Sequence, residues 1–259
     1  MAASLILGPL ETAGFCEAAE PIQAHLARRI IGRTVENYDG EKLGKVKDFI
    51  VEMQSGQIQY VIISSGGIAG LNSILKPVPP RAVSLATAKK STVALGGSKV
   101  RWEKAPTIRR RELASLSGPS RLRAIYEFYG QQPPLSQTGV EHGRSAAAGG
   151  AGALQFASDL IGSTVVNRQQ EKIGKVSDLL VDLSGQKPAY AIVSAKFTKT
   201  ERTFAVPLAR FSLPVRTQMV VDASRGQFEQ AKLFDQQTSK DASSSTGELY
   251  LFPDKDKRR

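Results

Sequence analysis

Cysteine and histidine, the residues that most often bind metals, are scarce in this chain. Its 259 residues include a single cysteine, Cys16, and two histidines, His25 and His142. An internal disulfide cannot form from one cysteine, and a cysteine-based zinc site needs more than one thiolate. The sequence therefore excludes disulfide scaffolds and zinc fingers, and it predicts neither a bound metal nor a cofactor.

Long apolar runs are also missing. A membrane-spanning helix needs about 20 consecutive apolar residues, whereas the N-terminal run at 2–10 is short and interrupted by Pro9. This run also lacks the basic leader of a secretory signal. We therefore expect a cytoplasmic protein without a transmembrane segment, either free or peripheral to the membrane, with a periplasmic location as the alternative.

Sequence signatures of catalysis are absent as well. The chain contains no nucleophile elbow, Walker loop, H-E-x-x-H motif or dinucleotide-binding fingerprint. The glycine-rich stretch at 64–70 lacks the Lys-Ser/Thr ending of a phosphate-binding loop. The repeated carboxylates, Glu41 with Glu171 and Asp48 with Asp178, stand beside lysines on predicted strands, where ion pairs between strands are the usual outcome. We predict that the protein is not an enzyme.

What the chain does contain is a duplicated unit. The segments 31–53 (IGRTVENYDGEKLGKVKDFIVEM) and 161–183 (IGSTVVNRQQEKIGKVSDLLVDL) share twelve of 23 aligned residues at a constant offset of 130. Average composition would give roughly one or two identities by chance. Since 41% of the residues are hydrophobic, we expect each copy to close an apolar interior of its own.

The sequence of each copy predicts several short strands and one long, bent strand. In 42–53 and 172–183 the alternation of apolar residues slips phase close to Gly44 and Gly174. A slip that occurs in both copies indicates a bulge or sharp bend that carries the strand around a barrel corner.

The loops and the following strands also have clear signals. The pair Asp39-Gly40 predicts a two-residue type I′ hairpin, for which the second copy has Gln169-Gln170. The almost continuously apolar runs at 60–64 and 190–194 predict strands that are buried on both sides.

Each copy ends with a strand and a short helix. Trp102 and Phe228 occupy the same place in the two helices, and we interpret them as plugs that pack the helix onto the mouth of a small barrel. Gly32 and Gly162, near the start of each repeat, are expected to serve backbone geometry.

A segment of different character separates the copies. It is basic at its start, with Arg109, Arg110 and Arg111, and it then predicts a helix capped by Ser120. The apolar side chains of this helix recur at spacings of three and four: Leu122, Ile125, Tyr126 and Tyr129. Small residues at 145–152 predict a flexible linker that lets the two halves move independently.

These signals divide the chain into five parts. They are an N-terminal arm at 1–27, a first barrel domain at 28–106, a helical segment and Gly/Ala/Ser-rich linker at 107–157, a second barrel domain at 158–234 and a polar tail at 235–259. In the arm, the helical spacing of Ile22 and Leu26 predicts one or two turns of helix.

The order of these features resembles the PRC-barrel family. The shared features are an Ile-Gly opening, a Glu-Lys-[Leu/Ile]-Gly-Lys-Val-x-Asp strand, a Ser-Gly turn, an aromatic-led apolar strand, a Val-Pro step and a closing helix. The resemblance implies a mostly β fold with two small PRC-type β-barrels, each closed by a short C-terminal helix. A basic amphipathic helix and a flexible linker would join the two barrels.

Two departures separate the chain from the best-known members of that family. The H subunit of photosynthetic reaction centres would carry an N-terminal membrane helix, which residues 1–29 do not offer. A RimM-type ribosome maturation factor would have one PRC barrel after a different β-barrel. The chain resembles bacterial members with two PRC-barrel copies, and that resemblance leaves the function open.

The charge balance favours anionic partners. A net charge of +11 and a pI near 9.8 suit an acidic protein surface, RNA or an anionic membrane surface. We predict a non-enzymatic adaptor that binds a protein partner in the assembly or tuning of a larger complex. The alternatives are an RNA- or ribosome-associated maturation factor similar to RimM and an exported, envelope-associated protein. The candidate partner contacts are Lys42, Lys45, Lys172, Lys175, Arg109, Arg110, Arg111, Tyr126 and Tyr129.

Overall fold

The structure is a computed structural model. It describes residues 24–65, 74–85, 92–134, 154–184, 189–197, 200–215, 217–231 and 233–234. Several features of the sequence lie outside the described residues: Cys16, Ile22, most of the glycine-rich stretch at 64–70, His142, the linker at 145–152 and the tail at 235–259.

The elements of the first copy are β1 (Ala24–Leu26), α1 (Ala27–Ile30), β2 (Thr34–Glu36), β3 (Lys42–Glu52), β4 (Ile58–Ser65), β5 (Ile74–Val78), a 3-10 turn (Pro80–Ala82), β6 (Val83–Leu85), β7 (Thr92–Leu95) and α2 (Lys99–Glu103). Six of the described strands follow one another in a sheet of order β5-β4-β3-β2-β7-β6, in which β2 and β7 run parallel and the other neighbours antiparallel.

A connecting segment and the second copy follow. The segment contains a 3-10 helix (Arg110–Ser117) and α3 (Pro119–Phe128). The second copy contains β8 (Leu154–Phe156), α4 (Ala157–Leu160), β9 (Thr164–Asn167), β10 (Lys172–Asp182), β11 (Tyr190–Lys196), β12 (Glu201–Pro207), a 3-10 turn (Leu208–Arg210), β13 (Phe211–Val215), β14 (Gln218–Val221) and α5 (Arg225–Gln230). Its sheet has the matching order β12-β11-β10-β9-β14-β13.

The long strand of each copy bends at the predicted place. The pairing of β3 with β4 shifts register between Val46 and Asp48, and β10 shifts against β11 between Val176 and Asp178. Glycine is required nearby, because a Cβ on Gly44 would lie 2.2 Å from the carbonyl oxygen of Ser64. Gly174 makes the same close approach to Ser194, also at 2.2 Å. The bulge predicted from the phase of the apolar residues is therefore confirmed.

The first strand of each copy joins the sheet of the other copy. β1 pairs antiparallel with β10, with Leu26 opposite Leu180, while β8 pairs antiparallel with β3, with Phe156 opposite Ile50. Both strands lie just before the predicted domain starts at 28 and 158. The helix expected around Leu26 is wrong, because these residues are extended and hydrogen-bond to a strand more than 150 positions away.

Two repeated aspartates fix this exchange. The backbone N–H of Ser158, at the start of α4, donates to Asp48 Oδ1 at 3.1 Å, and the N–H of Arg28, at the start of α1, donates to Asp178 Oδ1 at 3.2 Å. Each carboxylate thus satisfies an otherwise unpaired N–H of the other copy's short helix. This role corrects the expectation that Asp48 and Asp178 form ion pairs with lysines on the same face.

The two copies share one apolar core. Leu26 and Ile30 of the first copy belong to the same buried cluster as Leu180 and Val181 of the second copy. Further contacts join the copies, including the N–H of Ala189 to the carbonyl oxygen of Gly56 at 2.8 Å. The expectation that each copy closes its own interior is therefore wrong, because the strand exchange places part of each core in the other copy.

The connecting segment covers the outer face of the first sheet. Ile50, Tyr60 and Ile62 of β3 and β4 form a second buried cluster with side chains of the 3-10 helix and α3, including Leu116 and Leu122. This contact explains why β4 is apolar at consecutive positions. The predicted Ser120 cap is wrong: Gly118 precedes the helix, which begins at Pro119.

Candidate interaction surface

A cleft opens at one end of the first barrel, where residues of α2 form part of its wall. The hydroxyl of Ser98 accepts a hydrogen bond from the N–H of Arg101 and caps this helix. Trp102 points into the core, where its indole N–H donates to the carbonyl oxygen of Leu43 at 2.9 Å. Arg101, the residue before it, is exposed and donates to the carbonyl oxygen of Phe128 at the end of α3.

The cleft has a volume of about 270 Å³ and combines arginine with aromatic side chains. Tyr38 of the hairpin loop stands at its rim and is 78% exposed. Arg81, from the 3-10 turn Pro80–Ala82, donates through Nε to the carbonyl oxygen of Ser184 at 2.7 Å. Its two terminal nitrogens make no hydrogen bond to any described residue, so they remain available as donors.

Further exposed cations stand on α2 and on the connecting segment. They are Lys99 of α2, Lys104 directly after this helix, Arg109, Arg111 and Arg123. Among the residues that the structure describes, no carboxylate lies within ion-pair distance of any of them. We call these five side chains, together with Arg81 and Arg101, the basic face.

Arg110 has a different role from its neighbours. Its guanidinium lies 3.6 Å from Asp48 and forms an ion pair and hydrogen bond with Asp159 of α4. It also lies 4.1 Å from the ring centre of Phe156 in β8, a cation–π contact. Arg110 therefore holds the exchanged strand of the second copy in place, while its assignment as a partner contact stays a prediction.

Tyr126, another candidate partner contact, is buried. It is 5% exposed, its hydroxyl donates to the carbonyl oxygen of Gln59 at 3.0 Å, and its ring packs edge-on against Tyr60. Tyr129 is half-buried in the cleft wall. Burial raises the pKa of both Tyr126 and Tyr129 above the usual value. The spacing of Tyr126 from Leu122 already indicated the core-facing side of the helix.

The four repeated lysines lie on the outside of the long strands. Lys42, Lys45, Lys172 and Lys175 are all exposed, and no described contact connects them with the basic face. They remain a predicted contact set, separate from the arginines.

The repeated glutamates stabilise hairpin loops. Asn37 Nδ2 donates to Glu41 Oε2 at 2.8 Å, and the N–H of Glu41 donates back to Asn37 Oδ1 at 2.8 Å. Asn167 and Glu171 make the same pair of contacts in the second copy. Because these carboxylates bind asparagine amides, the expectation of lysine ion pairs for Glu41 and Glu171 is corrected.

Lys76 is a residue that the sequence reasoning missed. It is 3% exposed, its ammonium donates to the carbonyl oxygens of Trp102 and Glu103, and it lies 4.6 Å from the indole ring centre. Burial lowers the pKa of Lys76, and the nearby Glu103 partly opposes this shift. At the matching place in β12 the second copy has Phe204, which packs against Phe228. This internal difference is the signal that could have revealed Lys76.

His25, in the predicted N-terminal arm, is half-buried in β1 opposite Val181. Burial lowers its pKa, and Arg33 lowers it further. Within the described part of the chain, no three side chains from histidine, cysteine, aspartate and glutamate come together as metal ligands would. None of the described helices has the length and apolar character to span a bilayer.

Comparison with protein families gives two matches to the PRC-barrel domain, at residues 23–93 and 154–228. Together they cover more than half of the chain. Both matches include the exchanged strands, so β1 and β8 are part of the repeated unit. No curated protein matches the sequence.

Proposed function

The chain belongs to the PRC-barrel family, and we propose that it is a non-enzymatic adaptor that binds a protein partner in the assembly or tuning of a larger complex. Domains of this family are often protein-interaction or assembly modules and are generally non-catalytic. The basic face is the observation that supports the proposal best.

The packing of the basic face suits recognition of a partner. α2, the 3-10 helix and α3 are held against the first sheet by the buried residues Trp102, Leu116 and Leu122. The cations therefore stand on fixed elements, which lowers the entropy lost on binding. Complementary charge also speeds encounter with an acidic partner.

The test compares two charge reversals in the full-length, tagged protein. Arg109→Glu with Arg111→Glu changes the basic face, while Lys47→Glu with Lys196→Glu makes the same change in net charge at exposed lysines outside both the basic face and the predicted contact set. Partners are cross-linked in cells and identified by mass spectrometry. We expect the arginine variant to lose a partner that the lysine variant retains. Both variants should unfold at the same denaturant concentration as the wild type, so that the loss of the partner does not reflect unfolding.

Two results would contradict the proposal. One is a wild-type protein that captures no partner above background. The other is RNA binding at about 50 mM salt that falls steeply as salt increases and disappears with the Arg109 and Arg111 reversals. That second result would favour the RNA-associated alternative.

A further inference from the structure

We propose that the cleft of the first barrel receives an acidic side chain of the partner protein, whose carboxylate Arg81 and Arg101 bind below Tyr38. This inference rests on the proposed adaptor function and names the point of recognition. It assigns different roles to the two copies, since only the first copy carries these three side chains.

The second copy serves as an internal comparison on the same scaffold. Arg168 occupies the position of Tyr38 at the offset of 130. Ala209, the middle residue of Leu208–Arg210, matches Arg81. Gln227 matches Arg101, because both lie three residues after the serine that caps the helix.

Neither arginine is needed to build the barrel. Gln227 and Ser224 exchange two hydrogen bonds at the start of α5, the reciprocal arrangement known as a capping box. The short turn around Ala209 forms without an arginine. The turn and the helix start therefore do not require an arginine, although Arg81 and Arg101 each donate one hydrogen bond to a backbone carbonyl.

The charge at the rim of the cleft also differs between the two copies. In the second copy Arg168 forms an ion pair with Asp222 at 3.0 Å. In the first copy the residue after β7 is Gly96, so Tyr38 has no carboxylate there and stands over the glycine, 3.5 Å from where a Cβ would lie. In the second copy this ion pair neutralises the positive charge of the rim. In the first copy, no described carboxylate forms an ion pair with Arg81 or Arg101.

The charge of the cleft favours an acidic side chain of a partner, because two arginines line it and no described carboxylate lies within ion-pair distance of either. Guanidinium groups bind carboxylates through paired N–H donors. Tyrosine and arginine are also the residues that most often dominate binding energy in protein interfaces. Lys99, on the same helix as Arg101, and Lys104, directly after this helix, favour an acidic segment.

The experiment uses the full-length protein and a fluorescein-labelled oligoglutamate peptide, with oligoglutamine as the neutral counterpart. Binding is followed by fluorescence anisotropy at low salt. The cleft variant is Arg81→Ala with Arg101→Gln, which introduces the residues of the second copy. The matched control is Lys47→Gln with Lys196→Gln, which removes the same charge from two exposed lysines outside both the cleft and the predicted contact set.

We expect the cleft variant to weaken oligoglutamate binding by about tenfold or more, as the loss of charge-assisted hydrogen bonds implies, and the control to stay within about twofold of the wild type. Tyr38→Ala, at an exposed position, should cost about fivefold without a change in charge. This single variant tests the cleft even if the double variant folds poorly.

Equal losses in the cleft variant and the lysine control would overturn the proposal, since binding would then be a general effect of charge. Inorganic phosphate that binds as tightly as the peptide, and only when Arg81 and Arg101 are present, would also overturn it in favour of a small-anion site. A cellular partner that the cleft variant still captures would refute the cleft while the adaptor function stands. A wild-type protein without any partner would refute the adaptor function itself.

Discussion

The two hairpin loops of the repeat differ at a residue that must adopt positive φ. Gly40 has φ of 80° in the first copy, and Gln170 has φ of 64° in the second. Both backbone N–H groups donate to the carbonyl oxygen three residues earlier, on Asn37 and Asn167. A side chain at positive φ is strained because its Cβ crowds the backbone, and glycine avoids this strain.

Gln170→Gly should therefore raise the free energy of unfolding by about 0.5–1 kcal/mol. Equilibrium unfolding in urea measures the change. Gly40→Gln is the reciprocal variant and should lower stability by a similar amount. If Gln170→Gly were destabilising, the side-chain contact between Gln170 and Gln218 would outweigh the backbone strain.

Lys76 gives a prediction for alkaline pH. Its pKa in the folded protein lies below the ordinary value of 10.5, chiefly because of burial. Between these two pKa values the unfolded chain binds more protons than the folded one, so stability rises with pH in that interval and levels off above the unfolded pKa. Lys76→Met removes this dependence.

The measurement is urea unfolding of both proteins from neutral pH to above 10.5. We expect the stability of the wild type, relative to Lys76→Met, to increase as the pH approaches the unfolded pKa. The buried tyrosines titrate in both proteins and cancel in the difference. Parallel pH profiles would show that Lys76 keeps its ordinary pKa in the fold.

Some residue roles followed from the sequence and others did not. The positive φ of Gly32 and Gly162 and the burial of Trp102 and Phe228 agree with the interpretation of repeated residues as structural. The hairpin around Asp39-Gly40 differs from the predicted type I′ turn. Three residues form the loop, and Gly40 is at positive φ while Asp39 is not. Dipeptide signals do not distinguish a two-residue from a three-residue loop.

At the scale of elements, periodicity predicted what depends on local sequence. The bulge of each long strand and the apolar face of α3 follow from spacings within about ten residues. The partners of β1 and β8 do not, because each has only three residues and binds a strand far away in the sequence. Three residues are too few to show an alternation of apolar and polar side chains, so the sequence of such a strand does not indicate which strand it pairs with.

The two aspartates at the exchange are equivalent in position but differ in surroundings. Asp178 Oδ1 accepts from the N–H groups of Arg28 and Leu179, while burial raises its pKa. Asp48 accepts the same two kinds of N–H bond and also binds the hydroxyl of Ser158 at 2.5 Å and the guanidinium of Arg110. Asparagine can replace the Oδ1 contacts, but at position 48 its uncharged amide cannot replace the carboxylate beside the guanidinium of Arg110.

We predict that Asp178→Asn keeps or increases stability at pH 7, whereas Asp48→Asn costs about 1–2 kcal/mol. Because the folded pKa of Asp178 is raised, its stabilising contribution is present below 3.8 and is lost as pH rises through the folded pKa. The wild type should therefore gain stability relative to Asp178→Asn on acidification. Equal costs for the two substitutions at pH 7 would contradict the proposed difference between the sites.

The whole molecule resembles a symmetric dimer within one chain. Each copy gives a strand and a helix start to the other, and each receives the same elements at the same place. Repetition in the sequence predicted two similar units but could not show the exchange. The same strand could pair within its own copy or with the other, and only packing between the copies decides.

This exchange predicts that the two halves hold together without a continuous chain. A protease site placed within 145–152 would let the full-length protein be cut after folding. Because β1 and β8 are paired across the copies and the core is shared, the fragments should co-elute in size-exclusion chromatography and separate only in denaturant. The uncut protein should unfold in one transition for both halves, reported by Trp102 fluorescence and by far-UV circular dichroism. Fragments that separate under native conditions, or two transitions with different midpoints, would show that the copies are independent.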